Sequence, residues 1–335
     1  MESNKKFDLK VFMADYALIV VVLIMIIFTG ITKDNFISLN NFSNLMANVS
    51  VRFIIALGVA GCLIIKGTDL SAGRIVGLSA LITGTLVQKP DYASKFFPNL
   101  PDLPIIVPLL IVLAVCAFFG LINGLIIAYL HVPPFLATLG TQIMIYGVNM
   151  IYSQNRPIGN FKDGFIQLGQ GKLDFIPGLG FIPYLGIIAA VVGVLIWILY
   201  SKTRYGKYMY AIGGNEAAAE VSGINVEASK IRIFALAGLL YGLAGYLLTA
   251  KTGSVGPGAG QGYELEAIAS ATIGGVSTAG GQGTVPGILL GVFVFELLKN
   301  SLSFLGVSPD MTNVIQGIVI VVAVALDVRR TLVKK

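Results

Sequence analysis

Apolar residues fall into ten runs, near 16–31, 50–66, 71–87, 104–130, 135–152, 182–200, 231–250, 264–278, 284–305 and 310–327, separated by breaks rich in glycine, proline, asparagine or charge. A run of about 18 residues or more crosses a hydrocarbon core of roughly 30 Å as a helix. The pattern therefore predicts an all-α polytopic membrane protein of about ten transmembrane helices, some discontinuous. The runs at 50–66 and 264–278 are short and end in glycine-rich or polar breaks. They read as half-helices that enter the membrane and stop, which is tolerable only inside a protein-lined interior. The first run lacks an A-x-A-like exit and is followed by "ITKDNF", so it reads as a retained span rather than a leader.

Composition agrees. The chain has 335 residues, 56% of them hydrophobic and 12% charged, with a mean hydropathy of +0.84. Soluble domains are roughly a quarter charged, so half the usual charge is missing. The 40 glycines fit close helix approach in a membrane. The net charge of +6 does not point to nucleic acid, because lysine and arginine collect at the termini and beside the apolar runs. Lys5, Lys6 and Lys10 lie in the arm 1–15; Lys202, Arg204, Lys207 and Lys230 lie in 201–230; Arg329, Arg330, Lys334 and Lys335 end the chain. An even number of spans puts all three groups on one side, and the positive-inside rule makes that side cytoplasmic. Segments 31–49, 88–103 and 153–181 then lie outside, where "PDYASKFFPNLPDLP" offers a rigid contact surface. Cys62 and Cys116 sit inside apolar runs and read as small buried residues. His131 is the sole histidine, and no spacing supports a metal site.

A weak internal repeat runs through the chain, which reads as one transmembrane domain over 1–335. "GTDLSAGRIVGL" (67–78) and "GGQGTVPGIL" (280–289) each place a polar, glycine-bearing break before an apolar run. "LINGLIIAYLHVPPF" (121–135) and "LLKNSLSFLGVSPDM" (297–311) each carry asparagine, then leucines, then proline near a turn. The halves would be 50–152 and 231–327. An offset of five spans inverts one against the other, a plan common among transporters.

One polar segment interrupts this apolar landscape. In "GGNEAAAEVSGINV" (213–226), Gly213 and Gly214 make a turn and Asn215 can cap a helix. Ala217, Ala218 and Ala219 favour helix. Glu216 and Glu220 sit in the early turns, where the helix dipole prefers acids, and Gly223 can end the helix in the left-handed region. The product is about two turns, too short and polar to enter lipid. It reads either as a plain connecting helix or as a knob that docks into a partner's groove.

Ionisable groups in or near the membrane are Asp69, Arg74, Glu264, Glu266, Glu296 and Lys299. Such groups are costly in lipid, so they read first as structural pairs and second as substrate contacts. Glu296 and Lys299, three apart, can share a helix face. Asp69 and Arg74 flank the break between the second and third runs and are expected near the cytoplasmic surface. Asn123, Thr138, Gln142, Asn149, Asn300, Asn313 and Gln316 are candidates for lining a path for a neutral polar solute, with helix–helix hydrogen bonding as the alternative.

Three separated stretches, "SVRFIIALGVAGCLIIKGTDLSAGRIVGLSAL" (50–81), "GLINGLIIAYLHVPPFLATLGT" (120–141) and "GYELEAIASATIGGVSTAGGQGTV" (262–285), resemble the ribose/galactose-type permease family of ABC sugar importers. "GKYMYAIGGNEAAAEVSGINV" is similar to the cytoplasmic coupling segment of such permeases. Divergence lies mainly in the N-terminal arm and near 88–103 and 153–181. "GTDLSAGR" and "GLINGLIIAYL" come nearest to the galactose-carrying members. The resemblance implies a bacterial cytoplasmic (inner) membrane protein that works as a homodimer. It implies partners as well: an ATPase subunit with tandem nucleotide-binding halves that consumes ATP and Mg, and a sugar-binding protein outside. Residues 213–220 and Gly223 would be the lever on which the ATPase pushes. ATP hydrolysis is not expected in this chain, since "STAGGQGTV" lies between apolar runs and no G-x-x-x-x-G-K-[ST] phosphate loop is present. Ribose or another small sugar or nucleoside is the alternative cargo. A proton–sugar symporter is the alternative mechanism, though it has no use for a lever. A membrane enzyme lacks any catalytic constellation here.

Overall fold

The computed structural model describes residues 22–174, 178 and 180–333. The arm 1–15 and the start of the first run lie outside the described residues, as do Lys334 and Lys335. Among the described residues the structure is helical without a strand; isolated backbone bridges pair Gln88 with Phe161, Ile158 with Val255 and Lys172 with Pro183. The helices are α1 (described over Val22–Thr32), α2 (Leu39–Ile64), α3 (Ala72–Leu86), α4 (Ile106–Tyr129), α5 (Pro134–Ser153), α6 (Asp163–Gln170), α7 (Tyr184–Lys202), α8 (Arg204–Gly214), α9 (Glu216–Val221), α10 (Val226–Thr252), α11 (Tyr263–Ile273), α12 (Val285–Phe304) and α13 (Pro309–Val333). Seven of them, α2, α4, α5, α7, α10, α12 and α13, are long and apolar enough to cross a membrane. Every predicted run coincides with a helix, and α11, at 11 residues, is as short as its run implied.

One expectation about the runs fails. The run 50–66 is no half-helix but the latter part of α2, which has 26 residues. Hydropathy hid its first turns because "LNNFSNLMAN" is polar, and 31–49 looked like a loop. Yet Asn41, Asn44 and Asn48 recur at helical spacing and lie on one face, where they line a cavity. Ser38 caps the helix, its hydroxyl accepting from the Asn41 amide at 3.2 Å. The polar stripe thus belongs to an amphipathic helix whose other face is core.

Helices α2 and α10 form the centre. α10 packs against α4, α3 and α2, while α2 packs against α10, α11, α12 and α7. Small residues allow the close approach. Gly120 and Gly124 of α4 stand against the α10 backbone at Phe234 and Ile231, and Gly238 of α10 stands against the Cys116 carbonyl. A β-carbon at any of these would push the helices apart, which is how glycine builds helix contacts where lipid supplies no hydrophobic drive.

The bundle has two ends. At one end Gly213, at the close of α8, stands against Ile64, at the close of α2, and the Gly281 amide donates to the Ile64 carbonyl at 2.8 Å. At the other end lie the bridges Gln88–Phe161 and Ile158–Val255. α3 carries the chain from the first end towards the second, and α11 brings it back from the second towards the first. Their beginnings meet inside the bundle, where Gly73 of α3 touches Gly260 and Glu264.

Candidate functional site

The segment 204–226 folds from local signals. Thr203 leaves α7 extended and α8 follows; α9 then starts under the Asn215 side chain, which accepts from the Ala218 amide at 3.1 Å. The chain ends α9 and turns at Gly223, whose φ of +83 falls in the region glycine adopts freely. Lys230 of α10 holds Glu216 at 2.6 Å. Ala219 packs inward, whereas Ala217, Ala218, Glu220 and Val221 are exposed, Val221 at 91%. Beneath this knob the contacts are backbone on backbone. A β-carbon on Gly213 would collide with the Ile64 carbonyl, and Gly280 lies against the Gly213 carbonyl. The Tyr210 hydroxyl donates to the Gly283 carbonyl at 2.8 Å, and burial pushes that phenol above its usual range, so it stays a donor. Asp327 of α13 accepts from the Thr278 amide and hydroxyl at 2.9 and 2.7 Å. Segment 204–221 therefore grips the end of α2 and the 274–284 connection together.

The predicted polar residues divide into two groups. Asn123 and Thr138 are fully buried in a network that ties the α2–α3 break to its neighbours. Ser71 donates to Asp69 at 2.6 Å, Asn123 donates to Ser71 at 2.9 Å, and Thr141 donates to Asn123 at 2.6 Å. Tyr241, beyond the middle of α10, donates to the other Asp69 oxygen at 3.1 Å. The Leu70 amide donates to Thr138 at 3.1 Å. Gln142 donates to Glu264 at 3.1 Å, and Asn149 donates to the Arg74 carbonyl at 3.2 Å. The Arg74 guanidinium lies 4.5 Å from the centre of the Tyr146 ring. Asp69 and Arg74 are thus not at a surface as expected. After Ile64 the chain turns at Lys66, with φ of +62, and runs back into the bundle, carrying both inward.

The second group converges on one cavity. Asn300, Asn313 and Gln316 line a space of about 490 Å³ with Glu266, Glu296 and Lys299, between α2, α11, α12 and α13. Arg52 of α2 pairs with Glu266 and, at 3.8 Å, with Glu296; Lys299 pairs with the same two carboxylates at 3.2 and 3.4 Å. Arg52 also lies 3.5 Å from the centre of the Tyr263 ring. Asn300 donates to Asn41 at 2.9 Å, and Lys251 donates to Asn48. Sequence reading missed Asn41, Asn44, Asn48, Arg52, Lys251 and Tyr263. The Asn41–Asn44–Asn48 spacing, closing on Arg52 a turn later, was the signal that could have found four of them.

Comparison with known proteins identifies the class. The family described as branched-chain amino acid transport system / permease component matches residues 41–324, and the chain belongs to it. It is a multi-pass membrane protein, the permease component of an ABC transporter of the sugar-carrying kind. The galactose/methyl galactoside import permease MglC of Haemophilus influenzae is 45% identical over 330 residues, covering 98% of this chain and 97% of that one. The Escherichia coli protein of the same name is 46% identical over 315 residues, or 93% and 92% of the two chains. The ribose import permease RbsC of Bacillus subtilis is 39% identical over 311 residues, or 92% and 91%. No solved structure matches the chain.

Proposed function

We propose that this chain is the membrane permease of an ATP-driven importer of galactose or methyl galactoside. The observation that carries the cargo is the identity of 45% across nearly the whole chain to a galactose/methyl galactoside import permease, against 39% for a ribose permease. A cytoplasmic ATPase with tandem nucleotide-binding domains supplies the work from ATP and Mg, a binding protein delivers the sugar from outside, and two copies of this chain form the pathway. The protein sits in the bacterial cytoplasmic membrane with both termini inside. Gly213, Gly214, Asn215, Glu216, Ala217, Ala218, Ala219, Glu220 and Gly223 form the coupling lever, and its exposed alanines with Val221 are the surface the ATPase engages. A two-state gate moves only when a partner prefers one state. Because 204–221 grips α2 and the 274–284 connection at once, a push on α9 would reach both.

The chain makes ten passes, built as an inverted repeat within a single domain. Support comes from the packing: exchanging α2, α3, α4 and α5 for α10, α11, α12 and α13 turns the contact of α10 with α4 into that of α2 with α12. The same exchange turns α10–α3 into α2–α11 and α3–α5 into α11–α13, and all these contacts occur. The likeness of 121–135 to 297–311 follows this exchange. That of 67–78 to 280–289 does not, since these lead into α3 and α12. The beginnings of the broken helices α3 and α11 meet at mid-bundle, the arrangement transporters use at their solute sites. Asn300, Asn313 and Gln316 line the route; Asn123, Thr138, Gln142 and Asn149, engaged in hydrogen bonds, hold it in shape.

The test is labelled galactose uptake into proteoliposomes carrying this chain, its ATPase and its binding protein. Uptake should require ATP, resist an uncoupler, and vanish when Ala217 and Ala218 are replaced by tryptophan. Uptake by this chain alone, collapsed by the uncoupler, would instead establish a symporter.

A further inference from the structure

Resting on the sugar-import reading, we propose that the cavity between α2, α11, α12 and α13 is a binding site for one neutral polyhydroxylated molecule of monosaccharide size, complete within each copy of the chain. The permease then holds its solute at a defined station instead of merely passing it along.

Size comes first. The cavity, about 490 Å³, lies within the roughly 300–1,000 Å³ of small-molecule sites. A second space of about 340 Å³ adjoins it and shares Asn44, Asn48 and Lys251. It is lined also by Gln170, at the close of α6, and by Ser43, whose buried hydroxyl has no partner. This neighbour provides an approach from the α6 end of the bundle, away from the coupling segment.

Charge comes second. The ionised groups are engaged with one another or with amides: Arg52 and Lys299 with Glu266 and Glu296, and Lys251 with Asn48. A charged ligand would have to compete with these contacts, four of the five groups being in ion pairs and Lys251 held by an amide, whereas a neutral one leaves them intact.

Third, three carboxamides that line the cavity are left without partners. Gln316 is only 7% exposed, lines the cavity and makes no side-chain hydrogen bond among the described residues. Asn44 and Asn313 line it too and make none. Each carboxamide offers two donors and an acceptor oxygen, and each sugar hydroxyl both donates and accepts. An anion would satisfy only the donors and a cation only the oxygens. Gln316 and Asn313 on α13, facing Asn44 on α2, can thus grip a ring of hydroxyls from both sides.

The experiment uses the full chain with Ser303→Cys or Thr312→Cys, which line the cavity at exposed and part-exposed positions without being among the gripping carboxamides, and a hydrophilic, membrane-impermeant maleimide. Native Cys62 and Cys116 are fully buried and set the background. Galactose should slow labelling at both positions several-fold and saturably, while galacturonate and sulfate should do so weakly. Gln316→Leu should remove the protection without altering labelling in the absence of sugar, and Val221→Cys on α9 should be unprotected throughout. Lack of protection, or equal protection at Val221→Cys, while the assembled importer still accumulates galactose, would overturn the site and leave the import reading standing. Better protection by sulfate or galacturonate would also overturn it. Protection by a different neutral sugar, with no galactose uptake, would uphold the site and correct the cargo.

Discussion

On the coupling role proposed above, Gly213 is the residue at which force would pass from segment 204–221 to the bundle. Its α-carbon stands where any side chain would strike the Ile64 carbonyl and the Gly281 amide. Overpacking of this sort costs about 1–3 kcal/mol, so Gly213→Val should lower the melting temperature in detergent modestly. It should reduce ATP-driven uptake far more, because the altered contact is the joint itself. An uptake loss no greater than the loss of folded protein would remove Gly213 from the coupling path. Asn123 makes the contrasting case. It joins Ser71 to Thr141 deep in the bundle, and Asn123→Leu removes both bonds, leaving the Thr141 hydroxyl only the Ala137 carbonyl at 3.1 Å, at a cost of about 1–3 kcal/mol for the two. Thermal unfolding should register this, with sugar selectivity unchanged; altered selectivity would return Asn123 to the solute route. Both residues were visible in the sequence as types at suggestive places. Only packing separates the glycine that lets backbones meet from the asparagine that joins helices.

At the scale of elements, the two helices that matter most were legible to different degrees. α9 was open to reading because capping is local: Asn215, three alanines and Gly223 carry its start, body and stop within a dozen residues. Its acid Glu216 is tied to Lys230, so Glu216→Lys should loosen α9 from α10 and cut ATPase stimulation while leaving galactose protection at Ser303→Cys intact. Loss of both together would mean that the substitution unfolds the chain. α2 was half hidden because hydropathy averages over a turn and could not separate a polar stripe from a loop. What holds that stripe is tertiary: Arg52 reaches carboxylates on α11 and α12, far along the chain. Arg52→Gln leaves Lys299 alone with Glu266 and Glu296. The cost should stay below the roughly 3–5 kcal/mol of breaking a fully buried pair, since these side chains are part-exposed. Glu266→Gln added to Arg52→Gln should recover part of the melting temperature, and a purely additive loss would deny that the two residues are coupled.

For the molecule as a whole, the question is how many times the chain passes from one end to the other. Counting only the seven long helices, three of them (α10, α12 and α13) separate the coupling segment from the C-terminus, an odd number that puts the two on opposite sides. Yet basic residues mark both, Lys202, Arg204 and Lys207 on one and Arg329 on the other, and the positive-inside rule wants them together. On the ten-pass reading proposed above, the short α11 removes the conflict. It carries the chain from the Val255 bridge back to Gly281, beside Ile64 and Gly213, and counted as a pass it would give α10 to α13 four traverses with both ends on one side. Charge could suggest that parity from the sequence. Length could not, because a helix of 11 residues crosses only with help from the irregular backbone before it, at 253–262, which glycine and the walls of α3 make possible. Single cysteines test the count. In right-side-out vesicles Ser94→Cys should react with an impermeant maleimide from outside. Val221→Cys and a cysteine appended after Lys335 should react only once the membrane is permeabilised. If the appended cysteine instead reacts from outside while Val221→Cys stays protected, α11 is a re-entrant loop that returns to its own side. The coupling segment would then grip a hairpin tip, and its push would reach the cavity through α2 alone.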